Sequence, residues 1–316
     1  MKQRWAETDI ADQTGRTAVV TGANSGLGLR TAEVLAGKGA RVLLACRSAE
    51  RGAKALEQVR AAASGAAPEL VKLDLADLAS VREAAASVRE LTGDKLDLLI
   101  NNAGLMMTPR GKTADGFETQ FGTNHLGHAA LTWLLLPALR GGGGARVVTL
   151  SSVAATGARI DVADPNFEHR RYNPGAAYGQ SKLANQVFAL ELDRRLRAAG
   201  EDILSVAAHP GYTSTGLGQG MARSYRNPVL RAAIGGGNRI GEILLAQGPR
   251  MGALPQLYAA TADGVEGGEY IAPRGVGGMR GYPVKVSPLT PARSEALGAA
   301  LWDLTAKLTG VTPDPA

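Results

Sequence analysis

Short β-branched or leucine-rich runs alternate along most of this chain with Ala-, Leu- and charge-rich stretches of helical length. The runs fall at residues 17–21, 41–46, 69–73, 96–101, 145–151 and 203–208, and a seventh strand is expected at 269–272 after a helix over 252–261. Brief apolar runs separated by helical segments predict a parallel sheet with helices on both faces. No fixed-period repeat is present, so the pattern reads as one α/β domain over residues 15–309, with an N-terminal arm at 1–14 outside the sheet and a loose, Pro-rich tail at 310–316. Gly141 to Gly144, between a helix ending near Arg140 and the strand from Ala145, reads as a flexible surface connection.

The first strand runs straight into Thr21-Gly22-Ala23-Asn24-Ser25-Gly26-Leu27-Gly28, and a helical pattern follows from Leu29. Glycines let such a turn tighten and let backbone approach a pyrophosphate, while the free amides of the helix N-terminus hold the anion. The spacing is G-x-x-x-G-x-G. Placed after the first strand of an alternating chain, it predicts dinucleotide binding on a doubly wound Rossmann fold. The second strand ends at Cys46-Arg47, where an acidic residue would bond a ribose 2′-hydroxyl and an arginine accommodates a 2′-phosphate. Arg47, helped by Asn24 or Ser25, therefore predicts NADP in preference to NAD.

Tyr178 and Lys182 lie four residues apart at the head of a helical run extending to Arg197, which puts a phenol and an ammonium on one helical face. A neighbouring cation favours phenolate, so the Tyr178 pKa is expected to fall toward the working pH, where a general acid or base is most effective.

Bulk composition narrows the remaining classes. Of 316 residues, 45% are hydrophobic and 20% charged, ordinary for a globular protein. The net charge of +6 is scattered, which fits a solvated surface with a pocket for an anionic cofactor and argues against a nucleic-acid partner. Cys46 is the sole cysteine, excluding an intrachain disulfide and any cysteine-based metal site. The four histidines lack zinc-motif spacing, so no metal is expected. The N-terminus lacks the apolar core of a signal peptide, and the longest apolar stretch, 131–139, is interrupted by Thr132 and Pro137. A cytoplasmic protein without a membrane span is the expectation.

Taken in order, Thr21 to Gly28, Leu73-Asp74-Leu75, Asn101-Asn102-Ala103-Gly104, Asn124-His125-Leu126-Gly127-His128, Leu150-Ser151-Ser152, Tyr178 to Lys182, and His209 to Thr215 resemble the short-chain dehydrogenase/reductase family over roughly residues 15–275. The likeness is nearest to the branch with retinol-dehydrogenase-like and protochlorophyllide-reductase-like members. That resemblance implies a catalytic group of Asn124, Ser152, Tyr178 and Lys182. It implies that Asp74 and the backbone of Leu75 meet the adenine, and that Asn102, Ala103 and Gly104 line the adenine ribose. Pro210, Gly211 and Thr213 would surround the nicotinamide, with Thr215 at the carboxamide or phosphate. Gly22, Asn24, Ser25, Gly26, Leu27 and Gly28 complete the cofactor set with Arg47, Tyr178 and Lys182.

Ser152 aligns better with the family's serine than Ser151, and strand alternation sends the two to opposite faces if both remain in the strand. The 26 positions between Ser152 and Tyr178 exceed the family's usual gap, and the excess at 160–174 is read either as a flap beside the substrate pocket or as a plain surface loop. By resemblance, Ser152 would polarise a carbonyl while NADPH delivers hydride and Tyr178 the proton, with Lys182 holding the nicotinamide ribose and Asn124 a relay water. A carbonyl or alcohol of a hydrophobic small molecule is the expected substrate. Alternatives are a non-catalytic NADP sensor or scaffold, or a C=C reductase on the same fold. Specificity is assigned to 105–110, 153–174 and a lid around 216–237, and related proteins form dimers or tetramers through helices near 119–139 and 177–199.

Overall fold

The computed structural model describes residues 4–213 and 246–315. Its centre is one eight-stranded sheet in the order β3-β2-β1-β4-β5-β6-β7-β8. The strands are β1 (Thr17–Thr21), β2 (Arg41–Cys46), β3 (Glu69–Lys72), β4 (Leu98–Asn101), β5 (Ala145–Leu150), β6 (Ile203–Ala208), β7 (Tyr270–Pro273) and β8 (Pro283–Val286). The first seven are parallel, which sets all their C-terminal ends on one edge of the sheet. β8 runs antiparallel to β7 and was not foreseen. Its sequence, Pro-Val-Lys-Val, contains a residue that cannot donate to a ladder and a charge, features of an edge strand rather than a buried one.

Seven helices accompany the strands among the described residues: α1 (Gly26–Gly37), α2 (Ala49–Ala62), α3 (Leu78–Thr92), α4 (Thr119–Phe121), α5 (Gly127–Gly142), α6 (Pro174–Ala198) and α7 (Pro249–Thr261), with an eighth, α8 (Glu295–Thr309), closing the chain. Their limits follow from capping. Asp77 Oδ1 accepts from the amides of Ala79 and Ser80 at the start of α3, which Gly93 ends in the left-handed conformation. Asn173 Oδ1 accepts from the Ala176 amide at the head of α6, and Pro174 occupies its first position.

Alternate strand residues feed two cores. Val19, Leu43, Leu99 and Val147 pack with α3, α5, α6 and Trp302 on one face, whereas Val20, Leu44, Ile100 and Val148 pack with α1 and α7 on the other. α8 lies over α5 and α6 through Trp302, whose ring stacks on Phe188 at 5.7 Å and meets Trp133 edge-on at 4.8 Å. The last helix thus covers part of the α5 and α6 surface.

Two expectations about loops are corrected. α5 continues to Gly142, and a Cβ at Gly141 or Gly142 would collide with the main-chain carbonyls of Asp94 and Leu96, so these glycines serve close packing rather than flexibility. The tail past Thr309 is not loose: Val311 is buried, and Asp314 accepts from Arg140 at 2.6 Å while the same guanidinium binds Glu201. Among the described residues no helix is long and apolar enough to cross a membrane.

Candidate active site

A cleft of about 430 Å3 opens along the C-terminal edge of the sheet, bounded by the ends of β1, β2, β4 and β5 and by α6. One end is built from backbone. Gly22 turns the chain with φ +67° and donates to the Ala45 carbonyl at 2.8 Å. A Cβ at Gly28 would stand 2.5 Å from both Asn102 Nδ2 and the Gly22 carbonyl, so only glycine fits. The first amides of α1 have no intrahelical partner, and Ser25 does not cap them with its side chain. Gly22, Asn24, Ser25, Gly26, Leu27 and Gly28 all border the cleft. Thr21 Oγ1 receives the amides of Asn102 and Ala103, both at 2.9 Å, which locks the end of β4 to the end of β1.

Arg47 borders the same end, 4.0 Å from Asp74, and Arg51 joins it. Arg51 went unnoticed in the sequence; the available signal was Ser48, whose side chain caps α2 by accepting from the Arg51 amide and so sets Arg51 in the first turn beside Arg47. Asp74, Leu75, Asn102, Ala103 and Gly104 line the cleft as well. A nicotinamide dinucleotide fits these surroundings: two arginines at one end, an amide-rich turn without room for a Cβ, and Gly104 open beside Lys182.

At the other end Tyr178, 6% exposed, and Lys182, 5% exposed, project from the first turns of α6. Ser152 hydrogen-bonds Tyr178, while its Oγ also accepts from the Ala154 amide at 3.2 Å. Ser151 borders the cleft, but its hydroxyl is turned away and donates to the Lys182 carbonyl at 2.8 Å. The two serines thus point apart, although β5 ends at Leu150 and neither lies within it.

Lys182 Nζ donates to the Leu150 carbonyl at 3.1 Å, beside Asn185 Nδ2, which reaches the same oxygen at 2.9 Å. Burial pulls the Lys182 pKa down to about 8. The expected fall at Tyr178 is not found: burial raises its pKa, opposed only by the hydrogen bond with Ser152. Spacing puts both groups on one face, but it does not aim Nζ at the phenol, so loss of water raises the phenol's pKa with no counteracting pull from Lys182.

Asn124 is fully buried in a π-helical turn, Gly122–Leu126, between α4 and α5. Its amide is consumed by the Leu105 main chain on both sides, at 2.9 and 3.0 Å, and by Ser181 Oγ at 2.9 Å. Pro210 borders the cleft. Gly211, with φ +71°, and Thr213, whose hydroxyl donates to the Pro210 carbonyl at 2.9 Å, shape the loop behind it. Thr215 and the 216–237 segment lie outside the described residues.

Leu105, Met106 and Thr108 form the rim of the cleft beyond Gly104. Behind them the 160–174 segment is neither a free flap nor a plain loop. Tyr172 donates to the Thr108 carbonyl at 2.9 Å, Arg110 to the Phe167 carbonyl at 3.0 Å, and the Glu118 amide to Asn166 Oδ1 at 2.9 Å. Gln180, on α6, donates to the Pro165 carbonyl at 2.8 Å and accepts from Arg170 at 2.6 Å. The segment is a wall that braces the rim against α6.

Comparison with known proteins agrees with this geometry. A family model for short chain dehydrogenases matches residues 16–225. Human retinol dehydrogenase 13 is 38% identical over 301 residues, covering 94% of this chain and 85% of that protein. Mouse polyprenol dehydrogenase is 41% identical over 309 residues, 95% of this chain and 86% of that protein. Among solved structures, an uncharacterized protein from Mycobacterium paratuberculosis superposes with a TM-score of 0.78 at 41% identity, covering 98% of both chains. The Pseudomonas aeruginosa RhlG/NADP active-site complex gives a TM-score of 0.61 at 27% identity, over 82% of this chain and 94% of that one.

Proposed function

The chain belongs to the short-chain dehydrogenase family, and from that premise we propose that it is an NADP-dependent oxidoreductase interconverting a carbonyl and an alcohol on a hydrophobic small molecule. The family makes it an NAD(P)-dependent hydride-transfer enzyme of the retinol-dehydrogenase-like branch. The finer reading is carried by one observation: a buried Tyr178, bonded to Ser152 and one turn from Lys182, closes a cleft whose far end holds Arg47 and Arg51.

Bound NADPH would supply the hydride. Gly22 to Gly28 would hold its pyrophosphate, Arg47 and Arg51 the 2′-phosphate, and Asn102 to Gly104 with Lys182 the riboses. The chain's own part is proton chemistry and positioning. Ser152 and Tyr178 donate hydrogen bonds to the carbonyl oxygen, stabilising the charge that develops there by about 3 kcal/mol for a well-placed donor. Tyr178 Oη then gives its proton to that oxygen. Lys182, brought to about 8, gives and takes protons near neutral pH and stands ready to restore the phenol. Leu105, Met106 and Leu150 offer the substrate an apolar surface. Retinol and polyprenol, after which two relatives are named, are long isoprenoid alcohols, and their aldehydes head the list of substrates to try.

Single-turnover oxidation of NADPH against long-chain and isoprenoid aldehydes tests the reading. Tyr178→Phe is expected to bind NADPH normally and to lose about a thousandfold in rate. Unchanged turnover in that variant, or tighter binding of NADH than of NADPH, would overturn the assignment.

A further inference from the structure

His128 has no part in the chemistry above, yet it lies 1% exposed between the phosphate-binding turn and Asn124. Its Nε2 is 2.9 Å from Thr21 Oγ1 and its Nδ1 is 2.9 Å from the Asn124 carbonyl. Counting hydrogen bonds places the protons. A hydroxyl has two lone pairs and one proton. Thr21 Oγ1 accepts the Ala103 amide and shares the Asn102 amide with the Ile100 carbonyl, while the Asn124 carbonyl can only accept, so Nδ1 must carry a hydrogen and, in a neutral ring, Nε2 a lone pair that takes the Thr21 proton. His128 Nε2 is the nearer acceptor, the Ile100 carbonyl standing at 3.3 Å. Nε2 therefore accepts, Nδ1 carries the hydrogen, and that hydrogen is donated to the Asn124 carbonyl. Complete burial, with the charge of Lys182 acting in the same direction, keeps the ring neutral at neutral pH.

We propose that His128 is a positioning residue, an Nδ1-protonated imidazole that ties the ends of β1 and β4 to the main chain of Asn124 and so couples cofactor binding to proton delivery. The path onward is short. The Asn124 side chain is engaged by Leu105 and Ser181, so His128 is the side chain that governs the other half of that residue, its carbonyl. Asn124 Oδ1 and Lys182 Nζ both lie beside Gly104, and Asn124 Nδ2 donates at 2.9 Å to Ser181, the residue that precedes Lys182 on α6, so the route from Asn124 to Lys182 runs through Ser181. In the other direction, Thr21 carries the amides of Asn102 and Ala103, which border the cofactor end of the cleft. One ring thus touches both halves of the site.

Three substitutions separate these links. Leucine removes both contacts, asparagine puts an amide N–H near the Nδ1 position, and glutamine reaches toward Thr21 in place of Nε2. His128→Leu is expected to weaken NADPH binding and to slow single-turnover hydride transfer at saturating NADPH, each about tenfold, the factor set by one buried hydrogen bond. His128→Asn should recover the rate but not the affinity, and His128→Gln the affinity but not the rate. A purely structural role would lower the melting temperature without that crossed rescue. Should His128→Leu fail to fold, the contrast between the Asn and Gln variants decides alone. If these two behave alike in both measurements, or His128→Leu binds NADPH as the wild type does, the proposal fails. The rate arm rests on the function proposed above, whereas the affinity arm does not: a wild type that binds NADPH but reduces no aldehyde overturns that function and leaves the Thr21 link to be judged by affinity.

Discussion

The two ends of the cleft are built by different means. The cofactor end is a matter of main chain: Gly22 and Gly28 pressed against the end of β4, the first amides of α1, and the Thr21 hydroxyl clamping two further amides. The opposite end is a matter of side chains, with Tyr172 holding Thr108, Arg110 holding Phe167 and Gln180 holding both Pro165 and Arg170. A surface made from backbone recognises what every dinucleotide shares. One made from side chains can be re-cut by substitution while the chemistry at Tyr178 stays in place.

That contrast can be broken experimentally. The largest effect is expected from Gly28→Ala, because the added methyl meets backbone and Asn102 with no flexible neighbour to yield. NADPH affinity measured by fluorescence should fall about a hundredfold, the upper range of a forced overpacking. Near-normal affinity would show that the cofactor end is pliable after all. Next comes replacement of Arg47 and Arg51 together by alanine, which should weaken NADPH about tenfold through lost charge-assisted contacts and leave NADH unchanged. Equal losses for the two cofactors would shift these arginines from 2′-phosphate recognition to a general role. The smallest effect is expected at the opposite end. Tyr172→Phe removes the hydroxyl that donates to a main-chain carbonyl of the rim and accepts from Gln120 Nε2, at about 1 kcal/mol for each hydrogen bond. KM for an aldehyde should rise several-fold, with NADPH affinity unaltered. A change in NADPH affinity instead would mean that the two ends are mechanically joined.

The same contrast explains what could be read in the sequence. The turn from Thr21 to Gly28 and the pair Tyr178 and Lys182 are local strings, and alternation along the chain was sufficient for the parallel sheet and its order of elements. Interactions across the fold were not legible. Nothing near Gly141 announces that the Asp94 carbonyl, far earlier in the chain, forbids a side chain there. Tyr172 reads as one polar residue of an insertion until Thr108 and Glu118 are seen beside its hydroxyl. The helical spacing of Tyr178 and Lys182 shows a shared face but neither the direction of Nζ nor how much water is excluded, and it is the exclusion of water that moves both pKa values most. The edge strand Pro283–Val286 has too little alternation to be recognised without β7 beside it.

The position of α8 has a consequence for how such a chain is made. Trp302 completes an aromatic cluster with Phe188 and Trp133, and Arg195 lies over its outer side at 4.6 Å. During synthesis β1 to β6 and α6 emerge well before this helix does, so the nascent protein carries a bare aromatic flank at a stage when Tyr178 and Lys182 have already been translated. Chaperones that shield such surfaces have their task defined here by one late tryptophan. A premature stop just before Glu295 would leave every catalytic residue in the chain and still send it toward degradation.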